Sequence, residues 1–568
     1  MKEALEIKDL KDMLNKTKKL YANNIAYKIK NNEGYITYTH EQVRNMVNAL
    51  GTALINMGLK NKKIAIIGEN RYEWEIAYLS IVCGTGIVVP LDKSLPENEL
   101  KSLIERSEVE AIFYTKKHED EIKKFRLNGT GKLKHLISMD LEEHKDGVYS
   151  EKELIKTGEK LLKNGNKSFI NAKINPEEMQ IMLFTSGTTS KSKVVALSHK
   201  NLCSNLMDIA SVLDVNSDDV FLSFLPLHHV FECTVGFLFS LYSGAQTVFC
   251  DGIRHIVDNL KEYHVSVMAS VPAIYEKIFK IVRKSIEKEG NLEKILQKEE
   301  EYKNKSMEEK KQIFKEIHEI LGGNIKLLIS GAAALDTTIE EKYRKLGLNL
   351  VQGYGLTETS PIIGIGTNEN YRLGSIGKTV PHVEAKIVDK DSEGIGELIV
   401  RGPNVMLGYY QNTEATKDVI KEGWFYTGDL AKIDKDGYIF ICGRKKSVIV
   451  LKNGKNIFPE EMENLVNRIE GVKESFIFGK QVSDDKDDIK INVKIVIDTE
   501  IIKNVYKVSD DEQEIYKVIS EKVKEINKTM PPYKAIRGII LTKTPLIRTT
   551  TNKIKRQENL NEIEKLNN

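Results

Sequence analysis

Residues that could handle phosphate chemistry cluster in one short stretch, Phe184-Thr185-Ser186-Gly187-Thr188-Thr189-Ser190-Lys191-Ser192-Lys193. Hydroxyls and backbone N–H groups in such a loop can wrap a polyphosphate while the lysines neutralise it. The GxxxxGK[ST] spacing of a Walker loop is absent, and a polar surface turn would have the same composition. A second stretch, Gly353-Tyr354-Gly355-Leu356-Thr357-Glu358-Thr359, offers an aromatic face, a hydroxyl and a carboxylate. The ring could stack on a base, and Glu358 could hold Mg²⁺ through oxygen. A third, Tyr426-Thr427-Gly428-Asp429-Leu430, sets one acid in a tight turn. There it could accept hydrogen bonds from ribose hydroxyls, although an acid in a glycine turn is usually only a turn residue.

These loops need strands and helices to bring them together. Thr39 to Gln42 reads as a capping box opening a helix, with Val43, Val47, Leu50 and Leu54 at helical spacing and Gly58 at its end. Lys63 to Ile67 follows as a short buried strand, then another helix and the strand Ile87 to Val89. Strand, helix, strand with short links predicts parallel sheets covered by helices. Gln180 to Phe184, Val220 to Leu225 and Val265 to Val271 continue the pattern. Residues 281–320 read as a solvated, charged helical excursion with little apolar content. Beyond Gly374, short β-like runs alternate with Gly and Asp turns. A further unit is expected after Gly443-Arg444-Lys445-Lys446, with strands at Ser475 to Phe478 and Ile489 to Ile497 and a helix around 511–527.

The chain has 568 residues, too many for one core, so two to four folding units are expected. With 41% hydrophobic and 29% charged residues it reads as globular and not disordered. A net charge of +3 gives no nucleic-acid signature. The amino terminus mixes acids and bases without an apolar core, unlike a secretory signal. The longest apolar stretch, Ile76 to Leu91, falls short of a membrane span. Five scattered cysteines without CxxC spacing argue against a disulfide framework or zinc site and for a reducing compartment.

Seven segments in order carry a specific resemblance: FTSGTTSKSK, LPLHHVFE, SGAAALD, GYGLTETSP, GWFYTGDL, GRKKSVIVLKNGKNIFPEEME and PLIRTTTNKIKR. Together they resemble the acyl-adenylate-forming ligase superfamily, from about residue 35 to 556. The pattern is nearest to the long-chain fatty acid–CoA ligases. The resemblance implies an α/β fold with a large N-terminal adenylate-forming domain, 1–445, built of helix-covered sheets and a small barrel-like part. A small, mobile α+β lid, 446–568, would follow. It implies ATP, Mg²⁺ and coenzyme A as cofactor and co-substrates. A carboxylate would be joined to AMP with loss of pyrophosphate, then passed to a thiol.

Carried over by position, Thr185, Ser186, Gly187, Thr188, Thr189 and Lys193 form the phosphate loop. Gly331, Ala332 and Ala333 line the adenine and acyl pockets. Tyr354, beside Gly355, stacks on adenine, Thr357 touches phosphate and Glu358 binds Mg²⁺. Asp429 and Arg444 grip the ribose or phosphate. Lys553 bridges the carboxylate and the α-phosphate. His229 gates or walls the carboxylate site, a packed core histidine being the alternative; Lys446 is the hinge, and Gly454 lines a thiol tunnel. Four departures stand out: Ser190, Ser192 and Val194 replace Gly, Pro and Gly in the phosphate loop, and Asn552 replaces Gly before the lysine. Transfer to a separate carrier protein, and a decayed acyl- or nucleotide-binding protein, are the alternatives. Partners are expected to be small molecules and not nucleic acid. The expected location is the cytoplasm, with peripheral contact at the inner face of a membrane left open.

Overall fold

A computed structural model describes residues 2–185, 192–288, 302, 304–452, 455–481, 489–549 and 553–567. The chain forms two units. The larger comprises residues 1–385, 400–425 and 435–439; the smaller comprises 386–399, 426–434 and 440–568.

The larger unit is built on two sheets. In the eight-stranded sheet the order is Gly408–Tyr409, Val194–Ser198, Met179–Phe184, Gly86–Pro90, Lys62–Ile67, Ala111–Tyr114, His135–Ser138 and Tyr149–Ser150. From Met179–Phe184 to Tyr149–Ser150 neighbouring strands run parallel. The central run Ile64 to Ile67 is wholly buried, as are Ala111 to Tyr114. Covering helices hide both faces of such a sheet, which explains why these strands read as unbroken apolar runs and not as alternation. The nine-stranded sheet places Ile362–Ile365, Leu350–Gly355, Leu327–Ser330, Val267–Ser270 and Val220–Ser223 side by side. Leu350–Gly355, Leu327–Ser330 and Val267–Ser270 are parallel, so the chain leaves each at the same edge.

The expected capping box forms. Thr39 Oγ1 accepts from Gln42 N at 3.2 Å, and Gln42 Oε1 accepts from Thr39 N at 2.8 Å, opening helix His40–Asn56. That helix packs on Glu151–Lys163 at Gly158, where a Cβ would meet the Ala49 carbonyl oxygen at 1.8 Å. Only glycine permits so close an approach.

The 281–320 tract differs from expectation. It takes in the end of helix Pro272–Lys288, and its helices Met307–Ile313 and Lys315–Ile320 dock through Phe314, Ile317 and the following Leu321 into a core with Val282, Tyr343 and Leu348. Few apolar residues suffice there because they fall on one face. No described helix is long and apolar enough to cross a membrane.

In the smaller unit, strands Val472–Gln481, Ile489–Ile497 and Gly538–Thr542 form a sheet, antiparallel then parallel. Helices Pro459–Val466 and Glu512–Thr529 lay Met462, Val466, Ile515, Ile519 and Val523 against Ile477, Val493 and Ile495.

Candidate functional site

Several candidate residues follow the carboxyl ends of parallel strands, where ligands of open α/β sheets are held. Strand Met179–Phe184 ends at Thr185, whose N–H donates to the Lys193 carbonyl at 3.0 Å and whose Oγ1 reaches the same oxygen at 3.4 Å. These bonds close the base of the loop. Ser186, Gly187, Thr188 and Thr189 lie outside the described residues, as does Gly454. The returning limb is held from a direction the sequence did not suggest. Arg106 donates to Ser192 Oγ at 3.0 Å and to the Ser192 carbonyl at 2.6 Å, and its guanidinium lies 5.6 Å from the Phe184 ring centre. Ser192 is one of the departures from the family pattern, and its hydroxyl takes one of the two prongs of the Arg106 fork.

Strand Leu327–Ser330 ends at Gly331, whose N–H donates to the Ser270 carbonyl at 2.9 Å. A Cβ at Gly331 would come within 2.9 Å of the Phe231 ring, so the backbone lies directly against that aromatic. Ala332 has φ +66°, a left-handed conformation that costs a non-glycine residue energy, and Ala332 and Ala333 are exposed. Upstream of Phe231, the His228 and His229 rings lie 4.0 Å apart. Burial, with His229 adding to it, pushes the His228 imidazole well below its usual range, so it is neutral. His229 is half-buried, with its N–H on the Pro226 carbonyl.

Tyr354 and Gly355 close strand Leu350–Gly355, and Thr357 opens the short turn Thr357–Thr359 that carries Glu358. Both Tyr354 and Thr357 are half-buried. The turn is pinned on several sides. The Met406 N–H donates to the Glu358 carbonyl at 2.8 Å. The fully buried Asn404 amide donates to the Thr359 and Ile362 carbonyls, both at 3.0 Å. The carboxylate itself accepts the Tyr409 hydroxyl on Oε1 at 2.9 Å. Lys193 Nζ lies 4.5 Å from the centre of the same Tyr409 ring. Lys193 and Glu358, far apart in sequence, therefore share one neighbour.

Does this donor set suit Mg²⁺? No described cluster of three or more His, Cys, Asp or Glu could hold a metal. Mg²⁺ is commonly held by one or two carboxylates with phosphates and waters completing the shell. A single Glu358, with Oε1 taken by Tyr409 and Oε2 accepting no hydrogen bond among the described residues, fits that mode.

In the smaller unit Asp429 is 3% exposed and pairs through Oδ1 with Arg444 Nε at 2.9 Å. Its N–H is held by Thr427 Oγ1 at 3.1 Å, and Thr427 in turn donates to the Leu398 carbonyl. Lys445 and the Gly428 N–H share Glu397. Lys446 is exposed in the turn Lys445–Ser447. Lys553, also exposed, sits at a hairpin base. Its N–H donates to Thr549 Oγ1 at 3.1 Å, and the Thr549 N–H donates to the Lys553 carbonyl at 2.8 Å. Both limbs are anchored: Arg548 on Glu474 at 3.0 Å, Arg556 on Glu463 at 2.7 Å and Glu460 at 3.1 Å.

The sequence did not single out Tyr409 and Arg106. Tyr409 stands in a plain Gly-Tyr-Tyr run, and only its antiparallel pairing with Val195 brings it beside Lys193. A groove of about 440 Å³ lies among Ile29, Arg71, Tyr72, Thr115 and Phe249, but no candidate residue lines it. Its Arg71 is already paired with Glu73 and Asp140.

The chain matches the AMP-binding enzyme family over residues 15–410 and the AMP-binding enzyme C-terminal domain over 446–566. It is 30% identical to long-chain-fatty-acid–CoA ligase 1 of Homo sapiens, across 80% of this chain and 69% of the relative. With long chain acyl-CoA synthetase 3 of Arabidopsis thaliana it shares 27% identity, across 90% of this chain and 82% of the relative. The crystal structure of ATP-bound MatB from Rhodopseudomonas palustris superposes with a TM-score of 0.74 at 23% identity. That likeness covers 98% of this chain and 99% of the other, and shows a common fold.

Proposed function

The chain belongs to the AMP-binding enzyme family, and on that premise we propose that it is an ATP-dependent fatty acid–CoA ligase acting on long-chain acids. The observation that carries this reading is the 30% identity to a human long-chain ligase over most of the chain. In the first half-reaction a fatty-acid carboxylate oxygen attacks the α-phosphorus of ATP. The bond from that phosphorus to the bridging oxygen breaks, and pyrophosphate leaves. In the second, the coenzyme A thiol loses its proton to solvent, its sulfur attacks the acyl carbon, and the bond from that carbon to the phosphate oxygen breaks so that AMP leaves.

We assign roles to the residues accordingly. Thr185 to Thr189 and Lys193 hold the triphosphate, with Thr357 reaching a phosphate oxygen. Lys193 is an ammonium seated on an aromatic face, able to neutralise charge that grows on phosphate oxygens in the transition state. Glu358 would hold Mg²⁺, which when bound would neutralise charge on the departing pyrophosphate. Tyr354 stacks on adenine, with Gly355, Gly331, Ala332 and Ala333 forming the walls, and His229 bounds the carboxylate. Asp429 and Arg444 take the ribose. Lys553 bridges carboxylate and α-phosphate in the first step. Residues 1–445 form the adenylation domain and 446–568 a lid. The lid turns about Lys446 and brings Gly454 to the thiol channel in the second step. Excluding water during that exchange protects a hydrolysable acyl-adenylate.

The test is fatty-acid-dependent exchange of pyrophosphate into ATP, screened from acetate to oleate with a few aryl acids. Exchange should peak with long acyl chains, and thioester should form with free coenzyme A. Exchange confined to short or aryl acids would overturn the substrate class. Tight ATP binding without exchange would overturn the activity.

A further inference from the structure

We propose that Tyr409 is a positioning residue that couples the Glu358 carboxylate to the Lys193 ammonium, its hydroxyl aiming one and its ring seating the other. The proposal rests on the roles given above to Glu358 and Lys193. Tyr409 is 8% exposed, and its backbone is laddered to the strand that leaves the phosphate loop: Leu407 N donates to the Ala196 carbonyl and Tyr410 N to the Val194 carbonyl. Its own N–H is satisfied by Thr416 Oγ1 at 2.9 Å. The side chain is thus carried on a strand, and little of it is free to move.

Its two ends do different work. The hydroxyl donates to Glu358 Oε1 at 2.9 Å, which fixes the carboxylate plane and leaves Oε2 for a cation. Carboxylates that hold metals are usually braced by such a neighbour, and loss of the brace weakens the metal. The ring face attracts the Lys193 ammonium at 4.5 Å, inside the ~6 Å reach of a cation–π contact. The turn that carries Glu358 is joined to the same segment, through the Met406 N–H on the Glu358 carbonyl. A shift of this short strand would move both charges together.

The test compares Tyr409→Phe, Tyr409→Leu and Glu358→Gln in the full chain. Tyr409→Phe keeps the ring and the packing and removes only the hydroxyl. Expected is a roughly 10-fold rise in the Mg²⁺ concentration giving half-maximal pyrophosphate exchange. Calorimetric titration should show weaker binding of MgATP but unchanged binding of ATP in EDTA. Tyr409→Leu should in addition weaken ATP binding in EDTA, because Lys193 loses its seat. A wild-type Mg²⁺ response in Tyr409→Phe, or equal weakening with and without Mg²⁺, would overturn the coupling. An unaltered Mg²⁺ response in Glu358→Gln would overturn the role of Glu358 itself, and the coupling with it.

Discussion

Lys553 is the side chain on which the two half-reactions should part. It is an exposed cation on a hairpin base whose neighbours, Arg548 and Arg556, are both fixed by carboxylates. Lys553→Ala should slow pyrophosphate exchange by about 10²–10³-fold, the scale for losing one charge-stabilising donor. Transfer of a supplied acyl-adenylate to coenzyme A should be largely spared, as rapid-quench assays of each step would show. Equal loss in both would refute the assignment. Arg106 acts at one remove. Its fork on Ser192 holds the limb that leads to Lys193. Arg106→Met is expected to raise KM for ATP roughly 3–10-fold, since small displacements of charged groups cost rate steeply. Arg106→Lys should not restore it, because an ammonium cannot reproduce a two-pronged contact. Steady-state kinetics at saturating acid distinguishes the two variants from wild type.

Helices and strands here are set by contacts that tolerate little change. Helices His40–Asn56 and Glu151–Lys163 approach at Gly158, with the Ala49 carbonyl where a methyl would stand. Gly158→Ala forces the two apart and should cost ~1–3 kcal/mol, the usual scale of overpacking. A lower midpoint in urea, with secondary structure retained below it, is the expected readout. Local signals announced these elements well. The Thr39 capping box and the strand at Lys62–Ile67 lie within a few residues of where spacing puts them, because caps and apolar runs are short-range. The 281–320 tract was harder to read. Phe314, Ile317 and Leu321 are sparse in a charged sequence, and their burial depends on a distant surface formed by Tyr343 and Leu348.

The interior of the larger unit carries a pH dependence of its own. Glu232 is 1% exposed, Oε1 accepts from Ser223 at 2.6 Å and Oε2 has no hydrogen-bond partner among the described residues. Burial pushes its carboxyl up to about 8. Glu75, fully buried with Tyr27 nearby, is pushed well above its usual range, mainly by burial and in part by Glu232. An unfolded chain ionises these groups near pH 4.3, whereas the folded state keeps the proton. Folding therefore binds protons, and stability should fall as pH rises from about 4.3 through about 8. Glu232→Gln, neutral and of the same shape, should flatten part of that fall and raise the melting temperature at pH 8 relative to wild type. Calorimetry across pH 5–8 checks it, and a wild-type slope would show that Glu232 is ionised in the fold.

The candidate residues stand in contiguous motifs, the Lys193 loop, the Glu358 turn, the Asp429 turn and the Lys553 tail, and the order of those motifs along the chain carries the resemblance from which their roles are proposed. What the linear order could not reveal is which of these groups share a neighbour. Tyr409 is more than two hundred residues beyond Lys193 and fifty-one beyond Glu358, and touches both only because Gly408–Tyr409 adds a strand beside Val194–Ser198. Arg106 meets Ser192 across eighty-six residues. Nothing in the composition of either stretch marks it, since strand pairing and charge placement between remote segments are decided by the packed sheet and not by local propensity.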